Sequence, residues 1–246
     1  MKNEISEVKK KREFSQLPDS VVEKALEITK GDVKEARALL RKYFGVFLTN
    51  RVLKSSEDSD EVLKFHLSSK NRNYESFYKE IKSCIGGVKS SVDFGAGVNG
   101  FSYPILREIF GDVHYLAMEA AGQLVDKMNS YFKYRGFESA HAIKGDLFDL
   151  NKIRKMLPPL DEPIVAFMFQ VVDALESLEK DFSKKFLLEI SKKCRYIVLT
   201  LPTESLGGRK KFAVQRKWIL DFLKENFETL KDFESGSERV LCVRKK

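Results

Sequence analysis

Three short apolar runs of this chain each end beside an acidic residue. Ser90-Ser91-Val92-Asp93-Phe94 gives way to Gly95-Ala96-Gly97, His114-Tyr115-Leu116-Ala117-Met118 to Glu119, and Ala140-His141-Ala142-Ile143-Lys144 to Gly145-Asp146-Leu147. Glycines after a strand let the backbone approach a ligand that a Cβ would exclude. Glu119 stands 22 residues beyond Gly97, where an acid can accept both ribose hydroxyls of an adenosine. Asp146 is placed to accept from an adenine amino group, with Leu147 packed on the ring. Taken alone, the D-x-G-x-G is as well explained by a structural turn. Gly95, Gly97 and Gly100 also satisfy the G-x-G-x-x-G of dinucleotide sites. Asp93 before the glycines and Asp146 after the third run suit S-adenosylmethionine better, because that ligand has an amino group to hold and no pyrophosphate.

Such strand ends do chemistry only if a sheet brings them together. The apolar runs alternate with helical patterns: after the first three come Ile164-Val165-Ala166-Phe167-Met168-Phe169 and Tyr196-Ile197-Val198-Leu199-Thr200-Leu201. Helices are expected over 74–85, up to 109, around 122–134, near 180–191 and around 214–226, with a terminal hairpin of 227–233 and 239–244. Continuous apolar strands between helices predict a doubly wound α/β sheet, mostly parallel, with an antiparallel terminal strand. Ahead of it, Leu17-Pro18-Asp19-Ser20 offers Asp19 or Ser20 as N-cap for a helix to about Thr29, and Gly31-Asp32 restarts a second helix from Val33 to Phe44. The expected division is a small basic helical domain over 1–54, a linker and leading helix over 55–85, and the α/β domain over 86–246.

The 246 residues carry a formal net charge of +8, with 43% hydrophobic and 33% charged residues. This composition excludes a disordered or collagenous chain. No run approaches the roughly 20 apolar residues of a membrane span, and the charged start Met1-Lys2-Asn3-Glu4 reads as no secretory signal. Cys84, Cys194 and Cys242 are scattered, as are the 3 histidines, so a metal-free, cytoplasmic protein is expected. The charge is uneven: residues 1–54 hold a net +5, residues 55–203 a net −1 and residues 204–246 a net +4. A near-neutral middle between two basic ends fits a small-molecule site flanked by surfaces for a polyanion, although lysine-rich ends also serve solubility alone.

The acids at three successive strand ends resemble those of the Rossmann-like S-adenosylmethionine-dependent methyltransferases. Two further segments narrow the likeness. His66-Leu67-Ser68-Ser69-Lys70-Asn71-Arg72 resembles the H-x-S-T-x-E-R stretch of the aminoglycoside-resistance 16S ribosomal RNA guanine-N7 methyltransferases, and Leu201-Pro202-Thr203-Glu204-Ser205-Leu206-Gly207-Gly208-Arg209 resembles that family's P-T-x-S-L-G-G-R loop. The resemblance implies that Arg72 pairs with the cofactor carboxylate and that Gly95 and Gly97 border its methionine part. Glu119 would hold the ribose, Asp146 and Leu147 the adenine, while Phe169 and Gln170 line the pocket and position the reactants. Arg209, beside Lys210 and Lys211, would face the RNA. Phosphate contacts are expected from Lys9, Lys10, Lys11 and Arg12 with Arg37, Arg41 and Lys42. The implied partner is 16S ribosomal RNA in the 30S subunit, bound by a monomer, and drug resistance is the family's setting. The chain departs at Gly100, where the family has proline, at Glu119 for aspartate, at Gln170 for lysine, and over 210–214.

The residues limit the chemistry. Strand four ends in Phe169-Gln170-Val171-Val172, not the Asn/Asp-Pro-Pro-Tyr that grips an exocyclic amine, and no cysteine stands in a Pro-Cys pair for attack on a pyrimidine. Guanine N7 fits by elimination, since its lone pair needs no general base and catalysis reduces to positioning. A flipped base would stack on an aromatic such as Phe169 or Trp218. Ribose O-methylation, another RNA target, and a catalytically silent RNA-binding protein of this fold stay open.

Overall fold

The computed structural model describes residues 1–45, 48–55, 60–65, 67–157, 159–203 and 216–246. Its centre is a seven-stranded sheet of β1 (Ser90–Phe94), β2 (His114–Glu119), β3 (Ala140–Lys144), β4 (Ile164–Phe169), β5 (Tyr196–Pro202), β6 (Phe227–Ser235) and β7 (Glu238–Lys245), in the order β3-β2-β1-β4-β5-β7-β6. β1 to β5 are parallel. The terminal hairpin adds two antiparallel pairings, not one: β7 inserts beside β5, and β6 forms the edge with a bulge between Thr229 and Lys231. Beyond its buried first residue β6 mixes exposed and partly covered residues, as an edge strand tolerates, whereas β7 buries Glu238 and the run Val240 to Val243.

Alternation along β4 shows why its run is apolar throughout. Val165 and Phe167 join one core cluster and Ile164, Ala166 and Met168 the other, so both faces of the sheet are covered. The chain order reverses between β1 and β4, the place where open α/β sheets leave a crevice at their carboxyl ends.

The helices before the sheet are α1 (Lys2–Lys9), α2 (Asp19–Ile28), α3 (Val33–Tyr43), the single turns α4 (Asn50–Leu53) and α5 (Leu67–Lys70), and α6 (Tyr74–Ile85), and those between its strands include α7 (Tyr103–Phe110) before β2 and α11 (Phe182–Ile190) before β5. Asp32 caps α3 by accepting from the Lys34 and Glu35 N–H groups, and Asn73 caps α6 through the Ser76 N–H. Neither Asp19 nor Ser20 caps α2. The helix starts at Asp19 after Pro18, which cannot donate, and no side chain closes that end. Val8, Phe14, Val21, Leu26 and Leu40 from this region belong to the same apolar cluster as Tyr115, Phe167 and Val198 of the sheet. The basic helical region is thus seated on the α/β core. Among the described residues no helix is long and apolar enough to cross a membrane.

Candidate cofactor site

At the carboxyl edge of the sheet, Gly95 and Gly97 adopt φ of 68° and 54°, a region that favours glycine. A Cβ on Gly95 would come within 2.9 Å of Val171 Cγ2. The chain turns there over β2, with the Gly95 N–H donating to the Met118 carbonyl at 2.8 Å. Glu119, buried, accepts from the Gly97 N–H at 2.9 Å through Oε2 and from the Ala121 N–H at 2.8 Å through Oε1. Burial pushes its carboxyl up in pKa, and those N–H groups draw it back. With backbone donors on both oxygens, the carboxylate still keeps a lone pair for a ligand hydroxyl.

Asp93 lies deeper, 1% exposed. Its Oδ2 accepts from Asn99 Nδ2 at 2.6 Å and the Tyr115 hydroxyl at 2.7 Å, while its Oδ1 is buried with no hydrogen-bond partner among the described residues. Burial raises its pKa to about 6, against the pull of the Asn99 and Tyr115 donors. A buried acceptor left unmet costs about 1–3 kcal/mol unless something donates to it. Oδ1 is therefore the oxygen of this carboxyl still able to accept a further donor. Asp146, beyond β3, accepts from the Phe148 N–H at 2.8 Å through Oδ1 and from the Ser20 hydroxyl through Oδ2.

A cleft is lined by Gly95, Glu119, Asp146, Leu147, Phe169 and Gln170, with further residues from the N-terminal helices. Phe169 stacks on Phe167 at 5.1 Å between centroids and meets the edge of Phe77 at 5.2 Å. Gln170 holds φ 60° at the end of β4, an uncommon conformation for a side-chain-bearing residue, fixed by its N–H donating to Thr200 Oγ1 at 3.1 Å.

Arg72 reaches this edge from the turn before α6 with its guanidinium over the Phe169 ring, 5.0 Å from the centroid. Its main partner is Glu238, at the start of β7, which takes Nη2 at 2.7 Å and Nε at 3.0 Å. The two side chains are only 5% and 3% exposed. Gln170 Nε2 and Thr200 Oγ1 also donate to Glu238. Among the described residues, Nη1 makes only long contacts, 3.3 Å to Asn99 Oδ1 and 3.4 Å to the Tyr74 hydroxyl. Glu238, Asn99 and Tyr115 are the site residues that the sequence did not single out. An acid after Gly236-Ser237 looks like any hairpin charge, and only the pairing of Glu238 with Pro202 across β5 and β7 turns it inward.

Of the basic residues expected to meet phosphates in the N-terminal region, Lys10, Lys11, Arg12, Arg41 and Lys42 are exposed and Lys9 and Arg37 half-buried. Several are engaged within the chain: Lys9 with Asp19 at 2.5 Å, Lys10 with Glu7, Arg12 with Asn50 at 2.6 Å, Arg37 with the Glu7 carbonyl and Arg41 with Glu13 at 2.9 Å. Lys42 lies 4.9 Å from the Tyr43 ring centroid, and Lys11 is exposed. Arg209, Lys210 and Lys211, with most of the loop that resembles P-T-x-S-L-G-G-R, lie outside the described residues. Trp218 is 37% exposed on α12 (Lys217–Asn226) with the Lys184 ammonium 5.4 Å from its ring. Among the described residues no group of His, Cys, Asp and Glu could hold a metal ion.

No family model matches the sequence, and no curated protein matches it either. Solved structures do. The 16S rRNA methylase RmtB superposes with a TM-score of 0.77 over 100% of this chain and 98% of its own at 17% identity. The 16S rRNA methyltransferase RmtF, solved with S-adenosyl-L-homocysteine, gives 0.76 over 100% and 98% at 19% identity. The 16S rRNA methylase ArmA gives 0.55 over 83% and 98% at 17% identity. From its N-terminal helices to its antiparallel terminal strands, the chain has the fold of the 16S ribosomal RNA methylases.

Proposed function

We propose that this protein binds S-adenosylmethionine at the β1–β3 edge and transfers its methyl group to guanine N7 of 16S ribosomal RNA, in the assembled 30S subunit. The observation that carries the cofactor is the set of three carboxylates at three neighbouring strand ends, one of them with a buried oxygen lacking a donor among the described residues. Glu119 would take a ribose hydroxyl on its remaining lone pair, Asp146 and Leu147 the adenine, and Asp93 Oδ1 the amino group. Arg72 Nη1 would meet the carboxylate. The fold shared with RmtB, RmtF and ArmA supports 16S ribosomal RNA as the substrate.

When bound, the cofactor supplies a methyl group on a positively charged sulfur, a good electrophile. The protein then has one task, to bring an acceptor lone pair in line with it. N7 of guanine attacks with a lone pair that bears no proton. The positive charge passes from sulfur to the purine, and no proton is lost. This suits a cleft in which, among the described residues, no lysine or histidine lines the wall. A ribose hydroxyl would need such a base. Phe169, clamped by Phe77 and Phe167, gives a rigid surface beside Gln170 for a flipped base.

Transfer of radiolabelled methyl from S-adenosylmethionine to isolated 30S subunits, free 16S RNA and tRNA tests the reading, with primer extension after borohydride–aniline cleavage to detect N7-methylguanine. Label on 30S subunits with a cleavage stop at one guanine is expected. Label without a stop moves the acceptor off N7, and cofactor binding without label on any RNA makes the protein a silent RNA binder.

A further inference from the structure

The cleft that holds Asp146 is not closed by the α/β domain alone. Val21 of α2, Tyr43 at the end of α3 and the adjoining Phe44 stand in its wall beside Gly95, Asp146 and Leu147. α2 is fastened at the rim by two neighbouring turns. Ser20 donates its hydroxyl hydrogen to Asp146 Oδ2. Four residues on, Lys24 pairs with Glu179 at 2.8 Å, just past α10 (Val172–Leu178), and its ammonium stands 4.8 Å from the Phe148 ring centroid. Val21 is buried, and Tyr43 and Phe44 are half-buried.

We infer that the N-terminal helices form the outer wall of the adenine subsite, with Tyr43 and Phe44 facing the purine and Ser20 holding the Asp146 carboxylate in place. This rests on the cofactor reading above. A carboxylate oxygen accepts two hydrogen bonds, so the Ser20 hydroxyl and an adenine amino hydrogen can share Oδ2 while the Phe148 N–H holds Oδ1. Ser20 is then a positioning residue, not a competitor for the ligand. An adenine ring has two faces to cover, and Leu147 on the sheet side supplies one of them. Aromatic rings from α3 supply the type of surface that purines stack on. The same helix carries Arg37, Arg41 and Lys42. RNA docking on that helix and cofactor occupancy would therefore act on one element, and any effect of one on the affinity of the other is returned by an equal factor.

Calorimetric titration of the full chain with S-adenosylhomocysteine and with 5′-methylthioadenosine, which keeps the adenosine and lacks the amino-acid end, tests the wall. Tyr43→Ala should weaken both ligands alike, by about fivefold or more, because the lost contact is with the base. In a Trp218→Phe background, the indole introduced by Tyr43→Trp should change its emission saturably, at the concentration where calorimetry shows binding. This second readout does not depend on loss of affinity. Both ligands bound within twofold of the parent by Tyr43→Ala, or an indole emission indifferent to a bound ligand, would overturn the wall while the cofactor reading stands. A parent chain that binds neither ligand overturns the cofactor reading and the wall with it.

Discussion

Protonation of Asp93 should govern cofactor affinity, with a sign opposite to its effect on the free protein. Burial raises this carboxyl to about 6, above the usual value of roughly 4 for an aspartate in an unfolded chain. A folded-state pKa above the unfolded one means that the fold favours the protonated acid. Its contribution to stability is then fullest below about pH 4 and is lost as pH rises through about 6, a change of about 3 kcal/mol. Glu119, also raised by burial, acts in the same direction. An ammonium group at the unpaired Oδ1 reverses this preference, because it stabilises the carboxylate. If only the ionised form binds, about nine-tenths of the free protein is competent at pH 7 and about one-tenth at pH 5. The Kd for S-adenosylhomocysteine should therefore rise about tenfold over that interval. Calorimetry in two buffers of different ionisation enthalpy should show about half a proton released per ligand near pH 6. Asp93→Asn should bind more weakly and with a flat profile. A parent Kd constant within twofold from pH 5 to pH 7, in protein that circular dichroism shows folded, would refute the placement of the amino group at Asp93.

Three other outcomes follow from the same geometry. Asp146→Ala removes the acceptor expected for the adenine amino group and should weaken S-adenosylmethionine by about 5- to 150-fold, and calorimetry showing unchanged binding sinks that assignment. Glu238→Gln leaves the Arg72 guanidinium buried without its charge partner and should cost about 3–5 kcal/mol of stability, read by urea denaturation, whereas Arg72→Met with Glu238→Leu should restore most of it. A cost for Glu238→Gln below 1 kcal/mol would mean that the pair is not desolvated as the structure has it. For binding to 30S subunits, Lys11→Gln should flatten the dependence of log affinity on log salt by up to about one unit. Arg41→Gln, whose cation already meets Glu13, should flatten it less, and equal slopes for both variants and the parent would make the basic face a solvated surface.

The sheet was legible because its strands are continuous apolar runs buried on both faces. β1, β3 and β4 and helices α6 and α8 (Gly122–Tyr134) run over the spans expected from sequence. Amphipathic signals were lost where an element is short or charged. α1 reads as a charged tail because only Val8 is buried in it. α9 (Leu150–Met156) and α10 are seven residues each, too short for a period to stand out. The three strand-end acids were visible because acids are rare at the ends of apolar runs. Their partners were not, since Tyr115 is one aromatic among many and Ser20 looked like a helix cap. Instead its hydroxyl meets Asp146, 126 positions away. Contacts of that separation are set by the docking of α2, which no local pattern encodes.

The buried polar groups at the sheet edge form one chain, not a set of independent pairs. Tyr115 on β2 donates to Asp93 on β1, Asn99 joins Asp93 to Arg72, and Arg72 meets Glu238 on β7, to which Gln170 after β4 and Thr200 on β5 also donate. One side-chain amide thus separates an acid with an unmet acceptor from a guanidinium with a loosely held nitrogen. Because Glu238 already neutralises Arg72, a carboxylate arriving at Nη1 meets a pair of no net charge. If the cofactor binds as proposed, most of the charge discrimination for its zwitterionic end falls on Asp93. On the proposed placement of the cofactor, the ionisation of Asp93 is the step most exposed to pH.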